Sequence, residues 1–325
     1  MLSINQLKKR YRKRIYEMPY TVKPLLVVSW ALITLASLTS PVSAQTHSPT
    51  HKADSGVPRI ISAGAGVTEL ILALDAGNEL VGVDSTSHLP EQFSDVKQLG
   101  YHRMLSAEGI LALSPNLLIG SEVMGPETTL ALLSKANIRV VKLPQANDET
   151  QLMANIDQLG QLLNKQENAN RLKQQLHQQL SKIASKQRQL SAIKPKVVFM
   201  LLQEGRGARV GGRGTAADTI IELAGAENGA DFDGYKTLSQ EGVLVLQPEL
   251  ILLSSRSDSN SPQSADLLKQ MPLLAHTPAG KALHFHNLSP QSLIGGLGIS
   301  AIAAADELAT QLIEQPSTKP QTHAE

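Results

Sequence analysis

The chain has no cysteine among its 325 residues. That absence excludes a disulfide framework, cysteine-ligated zinc, an iron–sulfur cluster and thiol catalysis. Aromatic residues make up only 3%, with five Tyr, four Phe and one Trp, which argues against the stacking platforms that bind single-stranded nucleic acid. Thirty basic residues against 29 acidic ones give a formal net charge of +1. Such a balance argues against a phosphate-tracking surface, so no nucleic-acid partner is expected. What is present is 42% apolar residues, enough for packed cores in about two domains. Disorder, collagen and coiled coil fall away on the same ground.

The averages hide a distinct N-terminus. Residues 1–24 carry Lys8, Lys9, Arg10, Arg12, Lys13, Arg14 and Lys23 against a single acid, Glu17. An apolar run of 14 residues follows from Leu25 to Leu38, then Pro41 and the small-residue triplet Val42-Ser43-Ala44. Basic, apolar, then small-x-small is the order of a cleavable secretory signal, expected over residues 1–44. The apolar run is short for a membrane span of ~20 residues, and with no cysteine after it a lipoprotein anchor is not expected. Without residues 1–44 the chain keeps 23 basic and 28 acidic residues, a net charge of −5. It also loses Trp30, Tyr11, Tyr16 and Tyr20, leaving Phe93, Tyr101, Phe199, Phe232, Tyr235 and Phe285.

Residues 45–57 are polar and read as a flexible leader. From Pro58 the pattern turns α/β. Short buried strands are expected at 59–62, 80–83, 117–119 and 139–143, with helical material between them, including a helix over 68–74 ended by Gly77. That alternation predicts a parallel sheet in an N-terminal lobe, residues 58–147. Residues 148–193 lack proline and hold one glycine, Gly160. Leu152, Ile156, Leu159, Leu163, Leu172, Leu176, Leu180 and Ile183 recur there at helical spacing, predicting a surface helix pair or a long rigid connector. A second α/β lobe is expected over 194–325, with strands at 196–202, 250–253 and 282–286 and a closing helix from about 300 to 313.

The two lobes repeat each other. Residues 105–119, LSAEGILALSPNLLI, align without a gap to 238–252, LSQEGVLVLQPELIL, with eight of fifteen positions identical. Gly100-Tyr101 precedes the first copy and Gly234-Tyr235 the second, with one residue of slip. A self-match of this length points to a duplicated unit. In each copy a serine, Ser106 or Ser239, suits an N-cap, and Glu108 or Glu241 falls in the first helical turn, where a carboxylate suits the dipole. Two α/β lobes joined by a connector leave a cleft between sheet edges, the usual ligand position in open sheets of this kind.

Four segments carry a family resemblance: GVDSTS at 82–87, QLGYHRMLSAEGIL at 98–111, GRGTAAD at 212–218 and LAGAEN at 223–228. Over roughly Pro58 to Ile313 the chain resembles the periplasmic haem-binding proteins of bacterial ABC haem importers. These belong to the helical-backbone, class III group that also holds vitamin B12 and ferric-siderophore binders. The resemblance implies two Rossmann-like lobes with parallel sheets joined by a long rigid helix. It implies a periplasmic, monomeric protein without enzymatic activity that carries haem as transported ligand to an ABC permease and its ATPase. A corrinoid or ferric siderophore is the alternative ligand within the group. By resemblance, Tyr101 is the axial iron ligand, and Glu108 and Glu241 dock on the permease.

The residues fit that chemistry in several places. A phenolate is a hard anionic oxygen donor for ferric haem. Arg103 would share a face with Tyr101 if the segment were extended, and a cation there favours the ionised phenol. His102 is a competing ligand whose neighbouring position would turn it elsewhere in an extended segment. Arg206, Arg209 and Arg213 lie in the glycine-rich stretch 205–214, expected to be a loop suited to carboxylates such as propionates. Thr215 with Asp218 reads as a capping box at the next helix. Tyr235 either covers the other face of a ligand or packs structurally, and Met104 and Met124 offer apolar contacts or core packing. One departure stands out: many haem-binding relatives have Gly-x-Gly-Pro-Arg where this chain has Gly296-Leu-Gly298-Ile-Ser300. Two other readings are weak. His284 and His286 underfill a tetrahedral zinc site, and Asp84, Ser85 and His88 lack the strand–elbow–helix setting of a hydrolase triad.

Overall fold

Ile60 and Ile61 open a run buried on both sides, and the chain there becomes the centre of a sheet. The computed structural model describes residues 58–190, 194–203, 207–255 and 264–314. The signal and leader segments read in residues 1–57, and Arg206, lie outside the described residues. In chain order the first lobe holds β1 (Ile60–Ala63), α1 (Ala65–Ala73), β2 (Leu80–Val83), β3 (Lys97–Gln98), α2 (Ala107–Leu111), β4 (Leu117–Ser121), α3 (Glu127–Lys135) and β5 (Arg139–Leu143). Two helices follow, α4 (Glu149–Leu162) and α5 (Gln166–Gln187). The second lobe holds β6 (Lys196–Gln203), β7 (Gly207–Gly211), α6 (Ala216–Leu223), β8 (Glu227–Asn228), β9 (Tyr235–Leu238), α7 (Gln240–Leu246), β10 (Leu250–Ser254), α8 (Ser264–Gln270), α9 (Pro278–Ala282), β11 (Phe285–Asn287) and α10 (Ile299–Glu314).

The first sheet is parallel throughout, in the order β3-β2-β1-β4-β5. Strands buried on both faces need no apolar–polar alternation, which is why β1 and β4 read as continuous apolar runs. The second sheet departs from the expected all-parallel form. Its order is β11-β10-β6-β7-β9, with β8 beside β6, and β7 runs antiparallel to both β6 and β9. The glycine-rich stretch expected as a loop is therefore partly the strand β7, because a strand can return directly on β6 without a crossover helix. The strand expected at 282–286 is shifted too. Thr277 caps α9, its Oγ1 accepting from Gly280 N–H at 2.9 Å, and Leu283 takes a left-handed φ of 55° before β11 starts at Phe285.

The long connector is two helices. The chain turns between α4 and α5 at Asn164, with φ 57°, and Lys165 N–H donates to Gly160 O at 2.7 Å. Asparagine tolerates that left-handed conformation better than most residues. Of the apolar positions legible in the sequence, Leu152, Ile156, Leu159, Leu163, Leu172, Leu176 and Ile183 are buried, and Leu180 is partly buried against them. They join Ile60, Ile71 and Ile119 of the first lobe to Val197, Phe199, Ile220 and Leu252 of the second in one continuous core, completed by Ile302 and Leu308 of α10. Each sheet's other face has its own smaller core.

Gly160 lies where α4 and α5 approach, and a Cβ on it would sit 2.6 Å from Ala169 Cβ. In Gly160→Ala the helix gains about 1 kcal/mol of propensity, while overpacking costs about 1–3 kcal/mol. The net effect is a lower melting temperature by about 2–4 °C. The swap Gly160→Ala with Ala169→Gly cancels the propensity terms and returns the melting temperature toward the parent's. A stabilised single variant would refute the close-approach argument.

Candidate functional site

In the order β3-β2-β1-β4-β5 the connections reverse direction between β1 and β4, and a ligand is expected beyond the carboxyl ends of those two strands. A cleft of about 430 Å³ opens there, within the usual range for small-molecule sites. Gly64 after β1, Ala65 and Gly66 at the start of α1, Ser121 at the end of β4, and Glu122 and Val123 after it form part of its wall, with Tyr101, His102 and Arg103. The second lobe contributes Gly214, Thr215 and Ala216 at the start of α6, Gly234 and Tyr235 at the start of β9, and the 293–298 segment before α10. That segment is tied across to the first lobe by Leu297 N–H donating to Ala146 O at 2.7 Å.

The segment carrying Tyr101 is a turn and not an extended strand. Met104 N–H donates to Tyr101 O at 2.7 Å, Ser85 N–H to Gly100 O at 3.3 Å, and Gly125 N–H to His102 O at 2.9 Å. Alternation of faces therefore does not apply, and Tyr101, His102 and Arg103 all border the cleft. Tyr101 is 45% exposed, whereas His102 is buried. The two rings lie 4.3 Å apart, tilted by 56°.

His102 is held by Asp84, a fully buried residue whose oxygens take five hydrogen bonds. Oδ1 accepts from Gly64 N–H (2.8 Å) and Ser87 Oγ (2.7 Å). Oδ2 accepts from Thr86 N–H (3.1 Å) and Thr86 Oγ1 (2.7 Å), and lies 3.1 Å from His102 Nδ1. Ser87 continues the network to Thr68 and Ser62, each step 2.7 Å. Burial alone would raise the Asp84 carboxyl, but the hydrogen bonds from His102, Thr86, Ser87 and Gly64 overcome it and lower it from 3.8 to about 2. The network explains the polar run at 84–87 inside an otherwise apolar sheet edge. Sequence reasoning missed it, weighing Asp84 with Ser85 and His88; both of those are exposed, while Asp84 bonds Thr86 and Ser87.

The two tyrosines of the duplicated motif both border the cleft but differ in setting. Tyr235 packs edge-on to Phe199 at 6.4 Å, and the Arg209 guanidinium stands 5.2 Å from its ring centroid. Burial pushes its phenol above 10, against the opposing effects of a Thr215 hydrogen bond and the Arg209 charge. Arg209 thus reaches the cleft through Tyr235, from strand β7. Arg213 pairs with Asp231 and, through Nε at 3.1 Å, with Asp233; neither described arginine is among the lining residues. Met124 is core and Met104 is exposed, and neither lines the cleft. The capping pair forms with a variation: Thr215 Oγ1 accepts from Asp218 N–H at 3.2 Å, while the Asp218 carboxylate takes Gly214 N–H at 2.9 Å. Ser300 donates its N–H to Glu69 Oε2 at 3.3 Å, and burial raises that carboxyl above 4.5.

Residues 60–291 match the model of the periplasmic binding protein family. The chain belongs to the periplasmic binding protein family. Among solved structures it is similar to the periplasmic heme-binding protein HutB of Vibrio cholerae, with 40% identity, 79% of this chain and 99% of that one covered, and a TM-score of 0.72. A periplasmic heme-binding protein from Pseudomonas aeruginosa is similar at 36% identity, covering 79% and 93%, with a TM-score of 0.69. A vitamin B12-binding protein of Yersinia pestis is 26% identical over 82% of this chain and 90% of its own length.

In this periplasmic binding protein Ser106 and Ser239 cap α2 and α7, accepting from Gly109 and Gly242 N–H at 3.4 and 3.3 Å. Glu108 and Glu241 stand exposed in the first turns that follow. His286 Nε2 lies 3.5 Å from Glu307 Oε1, and among the described residues no group of three or more His, Asp or Glu side chains could hold a metal ion. No described helix is long and apolar enough to cross a membrane.

Because the Asp84 carboxyl is lowered on folding, it contributes stability that is present above pH ~4 and lost as the pH falls from 3.8 toward about 2. The amount is about 2 kcal/mol. Urea midpoints between pH 6 and pH 2 check this: Asp84→Asn flattens the decline below pH 4, and an unchanged slope would refute it.

Proposed function

We propose that the protein captures ferric haem in the inter-lobe cleft, with Tyr101 as axial ligand, and hands it to an ABC permease and its ATPase at the inner membrane. The observation that carries the reading is the half-exposed Tyr101 phenol on the cleft wall of a chain 40% identical to a heme-binding protein. With no cysteine available, a tyrosine oxygen is the natural hard donor for ferric iron. Arg103 borders the same cleft and supplies a cation near the phenol or a partner for a propionate. Tyr235, already engaged with Thr215 and Arg209, serves as an aromatic wall on the opposite side. His102 contributes to the ligand-facing surface beside Tyr101.

Glu108 and Glu241 are proposed as the two permease contacts. Matched positions in a duplicated motif and exposed carboxylates suit docking on two basic pockets of the permease. Residues 1–44 are proposed as a cleavable signal, 45–57 as a leader, and the mature protein as a periplasmic monomer without a lipid anchor.

Hemin titrated into the purified protein is expected to give a saturable Soret shift at one equivalent, and Tyr101→Ala to abolish or move it. An unchanged spectrum in the variant would remove Tyr101 as ligand. Cyanocobalamin or a ferric siderophore binding in place of hemin would favour the alternative cargo. The Glu108→Ala/Glu241→Ala variant is expected to retain hemin binding. Its uptake in cells is expected to fall roughly tenfold, because both docking charges are lost together. Normal uptake would refute the docking assignment.

A further inference from the structure

The backbone of the 100–102 turn is fixed through three carbonyls, Gly100, Tyr101 and His102, each accepting a main-chain hydrogen bond. What remains to be set is the direction of the half-exposed Tyr101 ring. Its ring neighbour is His102, 4.3 Å away, and that imidazole is pinned through Nδ1 to a carboxylate that also holds Gly64 and the 86–87 turn. A buried carboxylate, a buried imidazole and an exposed phenol thus form a chain from the sheet to the cleft. With Nδ1 taken up by Asp84, His102 is poorly placed to compete for iron through that nitrogen.

We propose that Asp84 and His102 are positioning residues for haem capture: the carboxylate fixes the imidazole, and the imidazole fixes the direction in which the Tyr101 oxygen meets iron. This rests on the haem reading and on Tyr101 as ligand. A coordinating side chain reaches productive geometry only if its own rotamer is locked by neighbours that are themselves hydrogen-bonded. Such supporting residues commonly change metal affinity by about 10–100-fold when lost. A purely structural histidine, satisfied by Asp84, would instead affect stability alone.

The test uses hemin-loaded protein with five single variants and one double variant, reading the ferric–tyrosinate absorption band, the rate of hemin loss to a scavenger, and the melting temperature of the apo-protein. Tyr101→Phe is expected to lose the band. His102→Ala and Asp84→Asn are expected to move it and to speed hemin loss about 10–100-fold, with the double variant no worse than His102→Ala alone. His102→Phe, which keeps a ring beside Tyr101, recovers part of the retention. Ser87→Ala removes one bond from the same carboxylate without reaching His102, so it lowers the melting temperature and leaves the band in place. If His102→Ala does not fold, Asp84→Asn against Ser87→Ala decides. A band and loss rate within about twofold of the parent's in both the His102 and Asp84 variants, with Tyr101→Phe still losing the band, would overturn the positioning role and leave the ligand standing. Effects that multiply in the double variant would overturn the pairing. A band that persists in Tyr101→Phe removes the ligand reading itself.

Discussion

The geometry of the cleft wall depends on one buried carboxylate. Asp84 sits at the carboxyl end of β2, where a parallel sheet leaves the first-turn amides and loop hydroxyls of neighbouring segments without regular partners. Its two oxygens gather them: the turn that starts α1, the loop after β2, and the turn that carries Tyr101. A buried charge is costly unless it is fully hydrogen-bonded, and here the five bonds outweigh the desolvation. The same bonds give three separate stretches of chain one common reference point.

The duplicated motif shows how similar sequence can serve unequal ends. Both copies build a serine-capped helix followed by a buried strand, and both place a tyrosine at the cleft. The surroundings then diverge. In the first lobe a parallel sheet leaves Tyr101 on an open turn. In the second lobe the antiparallel β7 lies beside β9 and brings Arg209 and Phe199 against Tyr235. One tyrosine remains available and the other becomes part of the wall.

The fold was largely legible in the sequence because its signals are local. β-Branched runs became the strands of the first sheet, and the leucine spacing of 152–183 became the buried faces of α4 and α5. A helix pair was one of the two readings of 148–193, but the place of its break at Asn164 was not legible, nor was the hairpin strand β7, since each depends on what packs against it: α4 on α5 through Gly160, and β7 on β6. At the site, Tyr101 and Tyr235 were marked through motif and duplication, and both border the cleft; Arg103 borders it too, although it was reached by assuming an extended segment that is in fact a turn. The expectation for His102 failed because it assumed an extended segment where the chain turns. Asp84 was noticed for the wrong partners: a carboxylate among serines and threonines signals a hydrogen-bond hub, but which hydroxyls face it is decided by the turn.

The continuous core that runs from the first sheet through α4, α5 and α10 into the second sheet has a mechanical consequence. Walls rooted in one close-packed interior can change their separation only by deforming that interior, and such interiors resist deformation. A cargo entering the cleft therefore meets a nearly finished shape and forfeits little ordering entropy on arrival. The same stiffness makes any widening of the cleft a concerted strain on α4, α5 and α10 together, since all three are packed into the shared interior.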